Sequence, residues 1–307
     1  MILSIFFFFQ TVIGVTGNFF LISLFIIMFL SRHRLRPIDT ILTQLALTNC
    51  LALLSKGVPK TMVALGMKNF LDNTGCKITL YLQRVARCLS VTLTCLLSGF
   101  QAITISPSNS RSAGLKARTP KYIIPTSLLC WTFQLLQNVF IPIGIIDPKH
   151  TRNVTERQNY GYCSHLVPSG FRAFLYAFIL SFPDAVFLGF MVFASGYMVF
   201  LLYRHHKHIE KIHIACISAR VSLETRATKT ILLLVTIFVS SYSLDCILAA
   251  YMSFMKSSPR LVHTSVFMTS FFPSISPYVL ISSDSQVPKY CYTLLGRKCS
   301  NFNSNSK

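Results

Sequence analysis

From Ile2 to Ser31 the chain carries no Asp, Glu, Lys or Arg. A helix of about 20 apolar residues crosses the ~30 Å hydrocarbon core of a bilayer, so this run spans it with residues to spare. It lacks the basic leader and the short apolar core of a secretion signal, and a retained first span is expected. Comparable apolar stretches recur along all 307 residues, of which 52% are hydrophobic and 12% charged, with a mean hydropathy of +0.54. Soluble domains carry roughly 25% charged residues. The fold class is therefore an all-α membrane protein, because a helix satisfies its own backbone hydrogen bonds where lipid cannot.

Seven spans are expected, at about 2–31, 39–65, 77–107, 122–146, 171–203, 230–255 and 261–283. They form a single domain over residues 1–307, with a short polar tail at 284–307. The stretch Cys76 to Pro107 orients the others: it opens on a cysteine and closes on a proline followed by a basic segment. The net charge of +20 would point to nucleic acid in a soluble protein. Here the basic residues lie mainly between apolar runs, where they set topology and face lipid headgroups. The lipid bilayer is the expected partner and nucleic acid is not.

With the N-terminus outside, the inner face collects seventeen Lys and Arg, in the segments 32–36, 111–121, 204–229 and 289–307, against eight outside. The positive-inside rule then predicts an outer N-terminus and a cytoplasmic C-terminus at the plasma membrane. Asn153-Val154-Thr155 is the single glycosylation sequon, and this topology places Asn153 outside. Of ten cysteines, Cys50, Cys88, Cys95, Cys130 and Cys246 fall within spans, and Cys216, Cys291 and Cys299 face the reducing cytosol. Cys76 and Cys163 remain for the oxidising side, and a bridge between them would pin the long loop 147–170 to the head of the third helix. The alternative is two unpaired thiols.

A charge within a span costs about 2.5–3.5 kcal/mol, so each one needs a reason. Lys56, Arg84, Arg87, Asp184 and Asp245 all fall in the outer halves of their spans. Arg84 and Arg87 lie ~12 and ~16 Å along the helix from Cys76 at 1.5 Å per residue. One reading is a wet pocket whose cationic wall meets an anionic or strongly polar ligand. The other is that the arginines pair with Asp184 or Asp245 between helices, or snorkel to headgroups.

The stretches SKGVPKTM at 55–62, TCLLSGFQAITISPSNS at 94–110 and LGFMVFASGYMVFLLYRHHKHIEKIH at 188–213 carry a family resemblance. RATKTILLLVTIFVSSYSL at 226–244 and FFPSISPYVL at 271–280 complete it. With the seven-span plan they resemble vomeronasal type-1 (pheromone) receptors, a family of G-protein-coupled receptors. Gly17-Asn18 and Trp131 are similar to the wider rhodopsin-like class, whereas Asn49 stands at the usual sodium-site aspartate. Ile103-Thr104-Ile105-Ser106-Pro107 replaces Asp-Arg-Tyr, and Ser276-Pro277-Tyr278 replaces Asn-Pro-x-x-Tyr. Gly99 stands where the family pattern carries valine.

The resemblance implies a small volatile or steroid-like chemosignal in the outer bundle and a heterotrimeric, Gi-type G protein on the cytoplasmic face. Thr104, Ser106, Pro107, Arg204 and Lys229 are the expected G-protein-facing residues. A bitter-taste-like receptor is the nearest rival, and a small transporter or channel the rival from another class. His205, His206, His208 and His213 invite a metal reading, but they sit among Lys and Arg with no completing ligands, so a solvated basic helix is expected. There is no HExxH, GxSxG or P-loop, so neither an enzyme nor a cofactor is expected.

Overall fold

The computed structural model describes residues 2–31, 37–67, 70–107, 110–144, 157–159, 162, 164–166, 171–212, 218–254 and 259–283. The elements in chain order are α1 Ile2–Leu30, α2 Pro37–Ala64, α3 Asn73–Ile105, α4 Ser110–Gln137, a five-residue α5 Phe140–Gly144, α6 Phe171–Ile212, α7 Ser218–Phe254 and α8 Pro259–Ser283. Two three-residue strands, β1 Arg157–Asn159 and β2 Ser164–Leu166, pair antiparallel between α5 and α6.

Local chemistry explains the helix ends. Pro37 occupies the first turn of α2, where its missing N–H is no loss and its fixed φ suits a helix. Asp72 caps α3, its carboxylate accepting from the Gly75 amide at 2.8 Å. At the other end α3 stops just before Pro107, whose ring disfavours helix in the residue ahead.

Among the described residues, six helices are long and apolar enough to cross a membrane: α1, α2, α3, α6, α7 and α8. The seventh long helix, α4, corrects the expected span. It begins at Ser110 rather than Tyr122 and gives way to a turn at Asn138. Arg111, Lys116, Arg118 and Lys121, read from sequence as a loop, are helical, because a spanning helix runs on into water wherever its side chains are polar. Pro120 and Pro125 lie inside it, and a carbonyl released by Pro120 has solvent to bond. The basic segment 204–229 is expected from sequence to extend the fifth and sixth spans into water, and α6 runs past Tyr203 to Ile212 while α7 starts at Ser218.

α3 is the central helix, packing against α2, α4, α6 and α7, while α8 closes the bundle against α1, α2 and α7. Val85, Leu89, Val91, Leu93 and Leu97 of α3 are fully buried, whereas Phe29 and Phe193 on the outside are 70% and 76% exposed. An apolar outer face of that kind is what lipid requires. Within the bundle, polar groups stitch the helices together. Asn49 donates to Ser276 Oγ at 2.9 Å and to Asn18 Oδ1 at 3.3 Å, and Asn18 donates to the Pro273 carbonyl at 2.8 Å, tying α1, α2 and α8. Trp131 Nε1 donates to Gln44 Oε1 at 3.1 Å, and Gln134 Nε2 to Thr92 Oγ1 at 2.8 Å, fastening α4 to α2 and α3.

Gly99 lies inside α3, and a Cβ added there would meet nothing within 4 Å. Glycine in a helix interior costs roughly 0.5–1 kcal/mol relative to alanine. Gly99→Ala is expected to raise stability by about that amount, read as a higher unfolding midpoint in detergent. A lower midpoint would mean that the position is closely packed.

Candidate ligand pocket

Arg84 and Arg87 stand three residues apart on α3, and hence on one face of the helix. Arg84 Nη2 pairs with Asp184 Oδ2 on α6 at 2.9 Å, and Arg87 Nη1 with Asp245 Oδ2 on α7 at 2.6 Å. Both carboxylates are buried. Asp184 Oδ2 also accepts from Tyr242 Oη at 3.3 Å and from Cys88 Sγ at 3.7 Å. Asp245 Oδ1 accepts from Ser265 Oγ and Thr269 Oγ1 of α8, each at 2.8 Å. The Arg87 guanidinium lies 4.7 Å from the centroid of the Tyr242 ring. One connected polar chain thus joins α3, α6, α7 and α8. Of the two readings open in the sequence, interhelical pairing is the one found for both arginines.

Beside this chain lies a cavity of about 280 Å³. Lys56, Arg84, Arg87 and Asp245 line it, together with Gln83, Ser90 and Tyr242, and an apolar wall including Leu53, Leu80, Phe238, Met268 and Phe272. Four of the five residues singled out from sequence therefore share one cavity. Asp184 is not part of its lining, and reaches it through Arg84 and Tyr242. Sequence reasoning missed Tyr242, although its place three residues before Asp245 puts it on the same face of α7.

At the Cys76 end of the bundle, Tyr162 is 1% exposed and packs with Cys76 against Val63, Phe70, Leu71 and Leu80. Its hydroxyl accepts from Gln83 Nε2 at 3.3 Å, and Lys60 Nζ lies 5.3 Å from its ring centroid. The residue ahead of the expected bridge partner thus reaches a cavity-lining side chain. Cys76 is disulfide-bonded, while Cys50, Cys88, Cys95, Cys130 and Cys246 are free. Cys163 and Asn153 lie outside the described residues, as do Arg32, Arg34, Arg36 and the tail 284–307.

At the Pro107 end, Ser106 Oγ and Tyr197 Oη are 3.1 Å apart, joining the end of α3 to α6. Thr104, Pro107, Arg204 and Lys229 are exposed, and Thr104 bonds back to the Phe100 carbonyl at 2.8 Å. Arg226 Nη2 reaches the Ser282 carbonyl at 3.5 Å, linking α7 to α8. The side chains of His205, His206, His208 and His213 lie outside the described residues.

Among the described residues, seven long helices, with a cavity lined by charged and apolar side chains, define a seven-helix membrane bundle. The profile of the vomeronasal organ pheromone receptor family matches residues 1–293. The chain is 41% identical to vomeronasal type-1 receptor 1 of Gorilla gorilla gorilla over 290 residues, covering 94% of this chain and 82% of that one. It is 41% identical to vomeronasal type-1 receptor 4 of Homo sapiens over 284 residues, 92% of this chain and 94% of that one. Olfactory receptor class A-like protein 1 of Danio rerio is 34% identical over 280 residues, 91% and 88% of the two chains. The chain belongs to the vomeronasal organ pheromone receptor family, and is a multi-pass plasma-membrane protein.

Proposed function

We propose that this chain is a chemosensory receptor that binds a small chemosignal in the cavity and activates a Gi-type heterotrimeric G protein at the Pro107 end. The observation that carries the reading is the cavity's position. It abuts the charged chain that joins α3 to α6, α7 and α8, and α6 and α7 carry basic extensions at the other end of the bundle. A ligand that interacts differently with two arrangements of these helices shifts their populations. In this reading the N-terminus is outside, Cys76 is bridged to Cys163, Asn153 is glycosylated, and Thr104, Ser106, Pro107, Arg204 and Lys229 face the G protein.

The test is a calcium response in cells carrying a Gi-type or chimeric α subunit, challenged with a panel of small volatiles and acids. Ala52 lines the cavity, and Ala52→Phe, which fills it from α2, is expected to abolish the response at equal surface expression. Leu54→Phe, at a position 48% exposed and outside the cavity lining, leaves it intact. Loss in both variants, or in neither, would place the ligand elsewhere.

A further inference from the structure

We propose that the cavity selects a small, singly charged organic acid, with Lys56 holding the acid group and Ser90 a hydrogen-bonding group at the other end. This rests on the cavity being the ligand site proposed above.

Charge accounting leads to Lys56. Three cations line the cavity, and two of them already hold carboxylates: Arg84 with Asp184 and Arg87 with Asp245. Asp245 already serves three donors, Arg87 on one oxygen and two hydroxyls on the other. It has little left to offer a ligand donor, so a basic ligand finds no open carboxylate. Lys56 is half-buried and, among the described residues, has neither an ion pair nor a hydrogen bond. These five side chains thus carry one uncompensated positive charge in a partly enclosed site. A buried charge is costly until it is paired, and a monoanion pairs it. A dianion would overshoot by one charge, and an amine would be repelled. The sequence leaves Lys56, Arg84 and Arg87 all open to the anion; the aspartate partners of the two arginines favour Lys56.

Ser90 supplies the second, independent observation. It is 5% exposed, lines the cavity, and its hydroxyl has no hydrogen-bond partner. A buried polar group left unpaired is unusual and costs free energy until something satisfies it. Ser90 lies one turn beyond Arg87 on α3, ~4.5 Å further from the Cys76 end. The site therefore offers a cation and a hydroxyl, and Leu53, Leu80, Phe238, Met268 and Phe272 add apolar wall to the same cavity.

Volume sets the size. The cavity falls at the low end of the range for small-molecule sites. A small ligand suits that space.

The experiment measures binding to the purified chain in detergent, without G protein, for phenylpropanoic acid, phenylpropanol and phenylpropylamine. Wild type is expected to bind the acid at least about tenfold more tightly than the alcohol, and the amine least. The para-hydroxyl derivative of the acid binds more tightly still, and Ser90→Ala erases that gain. Lys56→Gln erases the preference for the acid while remaining folded, with an unfolding midpoint no lower than wild type because a lone cation has been removed. The wild-type comparison decides the matter even if a variant fails to fold. Equal binding of the three compounds, preference for the amine, or no binding at all overturns the assignment. An acid preference here without any G-protein response would instead sink the signalling reading and leave the ligand class standing.

Discussion

Asp245→Ala is expected to destabilise the folded bundle by about 3–5 kcal/mol, the range for a buried ion pair that loses one partner. The loss is large because Asp245 serves three neighbours at once. Arg87 sits 2.6 Å from one oxygen, and Ser265 and Thr269 each donate to the other at 2.8 Å. Without it, Arg87 joins Lys56 as a second unpaired cation in the same cavity. The α7–α8 contact loses both hydroxyl bonds at that point. Removing both charges, as in Arg87→Ala with Asp245→Ala, is expected to recover a substantial part of the loss, since no new charge is stranded. The readout is a double-mutant cycle on unfolding midpoints in detergent. A coupling energy below about 0.5 kcal/mol would mean that the two residues behave independently.

Gly14→Ala is the second change with a large expected effect, at about 1–3 kcal/mol for overpacking a tight interface. An added Cβ would come within 2.6 Å of Leu53 Cδ1, 2.9 Å of Ser274 Oγ and 3.0 Å of Ser274 Cα. Leu53 can rotate, but the α8 backbone cannot give without moving the helix. That movement strains the Asn18 amide, which donates both to the Gly14 carbonyl and to the Pro273 carbonyl at 2.8 Å. Helices that lack a hydrophobic drive to associate depend on such small-residue contacts. Gly189→Ala is the matched control, since a Cβ there meets nothing within 4 Å. Equal effects at the two sites would remove the packing explanation.

Much of this architecture was legible in the sequence, for a physical reason. A membrane forces each crossing segment to be long, apolar and helical, so composition alone places α1, α2, α3, α6, α7 and α8. The start of α4 was not legible, because charge marks where a helix leaves lipid and not where it ends. Lys116 and Arg118 are helical and polar at once. The strands β1 and β2 were missed because three residues are too few to show a period. At the site, the spacing of Arg84 and Arg87 announced a shared face, but which carboxylate each would meet depends on the depth and rotation of α6 and α7. Lys56 illustrates the same limit. It is one of several intramembrane cations in the sequence, and stands out only once its neighbours have found their partners.

The most direct measurement is ligand-stimulated nucleotide exchange by a purified Gi-type heterotrimer with the chain reconstituted in liposomes, alongside radiotracer flux across the same membranes. A receptor predicts that exchange rises with ligand and falls away in Ala52→Phe, with flux equal to that of empty liposomes. Flux that persists without G protein and disappears when Arg87 is neutralised, with no ligand-dependent exchange, would contradict the account and make the intramembrane charges an ion path.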